Sequence, residues 1–156
     1  MIAVRVQPQA IDLAAETGVL TAGRIDVGAL VSFVGHVRAD DGLTALTLEH
    51  YPAMTERQLA AIAAVAEARW PLLAGVVIHR RGRMLPGEAI VLVAIASAHR
   101  AAAFEAAAFL MDWLKTRAPF WKTEERGGAH HWVAARSGDE AAAARWDVIK
   151  DQTKSA

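Results

Sequence analysis

Three observations predict an α+β fold with largely antiparallel sheet. Strands and helices mix without strict alternation, and several neighbouring strands are separated only by turn signals. No internal repeat, linker or low-complexity segment divides the chain, so residues 1–156 read as a single domain. With 54% apolar residues that domain can close a real hydrophobic core.

Taken in order, residues 2–6 predict a short strand and residues 9–17 a weak helix that Gly18 can end in the left-handed conformation. Residues 27–38 predict the first strong strand. Val27, Ala29, Val31, Phe33 and Val37 share one face; Ser32, Val34, His36 and Arg38 share the other. Asp40-Asp41-Gly42 is a turn signal, and a strand over 43–50 would complete a hairpin. Thr55-Glu-Arg-Gln58 has the form of a capping box for a helix running to about Trp70, with Leu59, Ile62, Val65, Ala66 and the Arg69/Trp70 pair facing the core and Pro71 as the stop. Residues 73–80 and 89–97 predict strands separated by a turn at Pro86-Gly87; the second is apolar on both faces and should lie centrally. Residues 100–117 predict a helix with Phe104, Ala107, Ala108, Met111 and Leu114 on its buried stripe, ended by Pro119. Strands over 120–126 and 130–134 join through Gly127-Gly128, and Ser137-Gly-Asp-Glu140 opens a last helix reaching Trp146.

Charge excludes some function classes. Lys plus Arg and Asp plus Glu each number 17 and no basic block occurs, which disfavours general nucleic-acid binding. No apolar run reaches membrane-spanning length, and Met1-Ile-Ala-Val-Arg-Val lacks the charged-then-apolar order of a secretory signal; a cytoplasmic protein is expected. The absence of cysteine removes disulfides, thiolate metal sites and covalent cysteine chemistry. Of the histidines only His130 and His131 are close, and adjacent strand residues face opposite ways, so neither a metal nor another cofactor is expected.

Against this neutral background one stretch concentrates chemistry. Lys115-Thr-Arg-Ala-Pro-Phe-Trp-Lys122 sets cations beside aromatic surface around a helix stop. With Arg38, His99, Arg100 and Arg136 it supplies groups suited to an anion: guanidinium binds phosphate bidentately, and an amine among cations loses its proton more readily. Such a lysine can act as acid, base or nucleophile. Each residue alone reads as a solvated surface cation, so the argument needs the fold to assemble them. Along one helix Arg100 and Lys115 stand about 22 Å apart, at about 1.5 Å per residue. They serve separate sites, or a homodimer brings His99 and Arg100 of one copy to Lys115 of the other. Ser97 before His99 has only a superficial likeness to a hydrolase nucleophile. The tryptophans read as core or interface anchors, with Trp121 the best exception.

Several of these motifs together resemble the catalytic (large) subunit of molybdopterin synthase, the MoaE family. They are Phe33-Val-Gly-His-Val-Arg38, Leu46-Thr-Leu-Glu-His-Tyr-Pro52, Met54-Thr-Glu, Val77-Ile-His-Arg80, Ser97-Ala-His-Arg100 and the stretch 115–122. The likeness spans roughly Gly28 to Trp146 with the motifs in the same order. It implies an α/β-hammerhead type of fold and a homodimer within a heterotetramer, each end carrying a small ubiquitin-like sulfur-carrier subunit. That partner ends in Gly-Gly with a C-terminal thiocarboxylate, whose sulfur is placed on cyclic pyranopterin monophosphate to make the dithiolene of molybdopterin. A cysteine-free chain agrees with sulfur arriving on another molecule.

Position by position, the resemblance implies that Lys115 and Lys122 are catalytic. Lys122 moves protons during sulfur addition, and Lys115 sits against the partner's terminal glycine. His36, Val37, Arg38, His99, Arg100, Thr123, Glu124 and Arg136 would bind substrate, with Glu124 orienting Lys122, while Phe33 and Met111 line the pocket. The chain departs from the family pattern at His36, where lysine is frequent, at Thr123, and in a short loop over residues 126–129. The alternative from another class is a non-catalytic adaptor of the same fold that binds a ubiquitin-like Gly-Gly tail.

Overall fold

A computed structural model describes residues 1–133 and 137–152. Its elements in chain order are β1 (Ile2–Gln7), α1 (Leu13–Thr21), β2 (Ala29–His36), β3 (Leu43–His50), α2 (Pro52–Arg69), β4 (Leu72–Arg80), β5 (Gly82–Met84), β6 (Ala89–Ser97), α3 (Arg100–Arg117), β7 (Phe120–Arg126), β8 (Ala129–Trp132) and α4 (Ser137–Gln152). Two four-stranded sheets form, in the orders β1-β4-β6-β2 and β5-β3-β7-β8. Every pairing is antiparallel except β1 with β4. The α+β class is therefore as expected.

The first sheet is covered on both faces because its two inner strands, β4 and β6, carry apolar residues on both. Val77, Val93 and Ile95 point toward α2 and α3, where they meet Leu59, Ala63, Ala66, Ala103, Ala106, Leu110 and Leu114. The alternate residues Val76, Ile78, Leu92, Ala94 and Ala96 point the other way and pack with Leu20 of α1. β6 is central, as its two-sided apolar pattern predicts. A third cluster, Val37, Leu43, Leu46, Leu48 and Met84 with Ile90 and Phe120, joins the second sheet to the first. Gly28 fixes the junction that leads into α3: a Cβ there would lie 2.2 Å from the Ala98 carbonyl oxygen, and its amide donates to the Ser97 carbonyl at 3.1 Å.

Several expectations are corrected. β2 and β3 do not form a hairpin; the turn at 40–42 passes the chain from one sheet to the other, β2 pairing with β6 and β3 with β5 and β7. Gly18 lies inside α1, which starts one turn later than expected because the Asp12 carboxylate accepts the Ala15 amide at 3.0 Å. α2 starts at Pro52, whose fixed φ suits the first turn, so Thr55 sits within the helix and donates its hydroxyl to the Tyr51 carbonyl at 2.9 Å instead of capping. Phe104 and Val65 face outward. The buried stripe of α3 runs through Ala103, Ala106, Ala107, Leu110, Met111 and Leu114, small residues letting the helix approach the sheet. β5 was not expected, and α4 extends beyond Trp146. Among the described residues no helix is long and apolar enough to cross a membrane.

Candidate active site

The site begins where α3 ends. Lys115 and Arg117 occupy its last turn, where the helix dipole favours cations, and both are exposed. Ala118 leaves the helix, Pro119 prevents its continuation, and β7 starts at Phe120. Strand alternation then puts Phe120, Lys122, Glu124 and Arg126 on one face of β7, opposite His50, Leu48 and Leu46 of β3.

Glu124 is buried on that face and both of its oxygens are used. Lys122 Nζ lies 3.0 Å from Oε1, and Arg126 donates to Oε2 from Nη2 at 2.7 Å and Nε at 3.1 Å. Burial pushes the carboxyl up, but hydrogen bonds from Arg126 and Lys122 outweigh it and hold Glu124 below the ordinary carboxylate range. The arrangement fixes a lysine ammonium beside a buried anion on an inner strand of the second sheet.

Phe120, at the start of the same strand, lies between two histidine rings. His79 stacks on it at 3.9 Å between centroids with an 18° interplanar angle, and His50 stacks at 5.7 Å. His79 Nδ1 lies 2.9 Å from the Arg80 carbonyl, to which its N–H donates. Burial pushes His79 down to about 4; the bond to Arg80 opposes this, and charge on His50 and Lys115 adds to the lowering. His79 is thus a neutral ring at neutral pH, near enough to Lys115 to feel its charge.

The other expected residues are placed less uniformly. Arg38 is exposed and pairs with Asp40 at 2.8 Å; His36 is exposed. Val37 is buried in the third cluster, its amide donating to the Glu88 carbonyl at 2.9 Å and its carbonyl accepting the Gly87 amide at 2.8 Å, which leaves no open polar group for a ligand. Thr123 lies on the face of β7 opposite Lys122 and Glu124. Phe33 is partly exposed on β2, whereas Met111 is buried in the main core. His99 and Arg100 are exposed at the start of α3, the far end from Lys115. Arg136 lies outside the described residues.

One copy of the chain therefore holds Lys122 against Glu124 and presents Lys115 at the C-terminal end of α3, with His99 and Arg100 at the opposite end of that helix. Ser97 is buried and donates its hydroxyl to the Pro71 carbonyl at 2.8 Å, a packing role and not a nucleophile's. Among the described residues no group of three or more histidines and carboxylates is arranged to hold a metal. Two site residues escaped the sequence reading. Arg126 is two positions after Glu124, so alternation alone would have put it on the same face; His79 lay inside a quoted motif without a role.

Residues 6–117 match the model of the family described as MoaE protein. That match includes Lys115 and stops before Lys122. The chain is 59% identical over 146 residues to the molybdopterin synthase catalytic subunit of Mesorhizobium japonicum, with 92% of each chain covered. Among solved structures it resembles the molybdopterin biosynthesis MoaE protein from Burkholderia ambifaria, with a TM-score of 0.81, 49% identity, and coverage of 94% of this chain and 99% of that one. It also resembles molybdopterin synthase from Staphylococcus aureus, with a TM-score of 0.75, 28% identity, and coverage of 83% and 95%.

Proposed function

The chain belongs to the MoaE family, and from that premise we infer that it acts as a molybdopterin synthase catalytic subunit, transferring sulfur in molybdenum cofactor biosynthesis. The observation that carries this reading is the pairing of Lys122 with buried Glu124, just beyond the helix end that presents Lys115.

The sulfur donor is the C-terminal thiocarboxylate of a small ubiquitin-like partner ending in Gly-Gly, and the acceptor is cyclic pyranopterin monophosphate. In each transfer the thiocarboxylate sulfur bonds to a pyranopterin carbon as a carbon–oxygen bond there breaks and the oxygen leaves protonated. Water then cleaves the acyl–sulfur bond, restoring the partner's carboxylate and leaving the sulfur on the pterin. Two transfers complete the dithiolene. The chain has no cysteine to carry sulfur itself, which supports delivery by a second protein. Lys122 moves protons at the carbon under attack, held in place by Glu124. Lys115 faces the partner's terminal glycine, and Phe120 with His79 makes an uncharged floor between the two lysines.

Arg38, His36, His99, Arg100 and Arg136 hold the phosphate and pterin. The length of α3 separates His99 and Arg100 from Lys115 by about 22 Å, so a second copy supplies them across a two-fold interface. A homodimer with one partner at each end, a heterotetramer, follows. The cytoplasmic setting expected from the sequence is part of the same proposal. The test mixes the protein with its thiocarboxylated partner and cyclic pyranopterin monophosphate. Dithiolene product is expected; partner binding without product would make the chain an adaptor.

A further inference from the structure

Arg126 contacts more than Glu124. Its Nη1 donates to two consecutive backbone carbonyls, Asp40 at 2.6 Å and Asp41 at 2.7 Å, across more than eighty residues of sequence. Those carbonyls belong to the turn that carries the chain from the first sheet to the second. The turn is strained: Asp41 is the single non-glycine residue with positive φ among the described residues, at 50°. Such a conformation persists only where the surroundings hold it. Besides Arg126, the Leu43 amide donates to the Asp40 carbonyl, and the Thr44 hydroxyl donates to the Glu125 carbonyl at 3.0 Å.

Arg38 lies two residues before this turn and pairs with the Asp40 carboxylate at 2.8 Å. A continuous series of contacts therefore runs from Lys122 to Glu124, to Arg126, to the Asp40–Asp41 turn, and on to Arg38. Both Glu124 and Arg126 are mostly withdrawn from water, their side chains 12% and 27% exposed, so the contact between them is less screened than that of a surface pair such as Arg38–Asp40. Arginine suits the position because its planar fork serves a carboxylate and two carbonyls at once, which a lysine ammonium does not.

We propose that Arg126 is a positioning residue that couples the Lys122–Glu124 centre to the turn bearing Arg38, holding the proton-transferring lysine and a phosphate-binding arginine in one geometry across two sheets. The proposal rests on the roles given above to Lys122 and Arg38. Without Arg126 the turn loses two of its carbonyl partners, Asp41 relaxes, and Arg38 moves relative to Lys122.

The test uses the full chain with its partner and follows KM for cyclic pyranopterin monophosphate. Arg126→Ala is expected to raise KM about tenfold, and Arg126→Lys to restore little of it, since lysine satisfies Glu124 but not both carbonyls. In an Arg38→Ala background, adding Arg126→Ala should change KM less than about twofold, because both substitutions remove the same coupling. An unchanged KM, equal effects in the two backgrounds, or full rescue by lysine would overturn the proposal. A second readout needs no turnover. Exchange of the Leu43 amide, which is bonded to the Asp40 carbonyl, should speed at least about fivefold in Arg126→Ala, and unchanged protection would overturn the clamp. If the wild-type protein forms no product, the functional reading fails while amide exchange still decides whether Arg126 holds the turn.

Discussion

Lys122 Nζ lies 3.0 Å from Glu124 Oε1, and the two side chains leave the same face of β7 two positions apart. The strand's own period thus brings a flexible cation to a buried anion without help from a loop. With Arg126 on the second oxygen, the carboxylate cannot swing away from Lys122 without breaking two further hydrogen bonds.

Replacing Glu124 by Gln keeps the shape and removes the charge. The expected result is a fall in kcat of about 10- to 100-fold, with partner affinity unchanged, read in single-turnover assays. Because the folded carboxyl sits below its ordinary value of 4.5, its stabilising contribution is complete above that pH and fades as pH falls further. Acid unfolding of Glu124→Gln should accordingly start from a less stable protein and be shallower than that of the wild type.

The His79 ring gives a second pH dependence. Its folded value, about 4, lies below the ordinary 6.5, so the unfolded state binds the proton more tightly. The stabilisation is therefore full above about pH 6.5 and is lost as pH falls toward about 4. The loss should be on the order of 3 kcal/mol over that window. Denaturant titrations should show a flatter profile for His79→Phe, which keeps a ring against Phe120 but cannot protonate.

Shared sites can be shown by mixing. In a dimer of one Arg100→Ala chain and one Lys115→Ala chain, one of the two sites has both residues intact. Random exchange makes half the dimers mixed, so activity should recover to about a quarter of wild type. No recovery after verified exchange would argue against a site shared between the two copies.

Asp112 ties α4 to α3. Its Oδ2 accepts Trp146 Nε1 at 2.7 Å and Arg145 Nη2 at 2.6 Å and Nε at 3.0 Å. Asp112→Ala should destabilise the protein by about 2–3 kcal/mol, measured by chemical denaturation, with the Trp146 emission shifting toward that of an exposed indole.

The parts of the site that local chemistry decides were legible in the sequence. Pro119 separates a helix from a strand, so α3 and β7 appear where expected and Lys115 and Lys122 reach the site from different elements. Pairing was harder. Asp40-Asp41-Gly42 signals a reversal, but nothing local says that the strand after it joins another sheet, with β7 more than seventy residues away. His79 has no sequence mark distinguishing it from a surface histidine; its stacking partner Phe120 comes from another sheet. Arg126 was hidden for the same reason, since the carbonyls it binds are 85 and 86 residues distant.

In the proposed function Lys122 is the group that moves protons during sulfur transfer. The most direct measurement is mass spectrometry of a single turnover, with wild-type and Lys122→Ala proteins each mixed with thiocarboxylated partner and cyclic pyranopterin monophosphate. Wild type should yield a product carrying two added sulfurs and a partner ending in an ordinary carboxylate. Lys122→Ala should form the same dimer, bind the partner and leave the pyranopterin unchanged. Product formed by Lys122→Ala at the wild-type rate would contradict the role assigned to this residue.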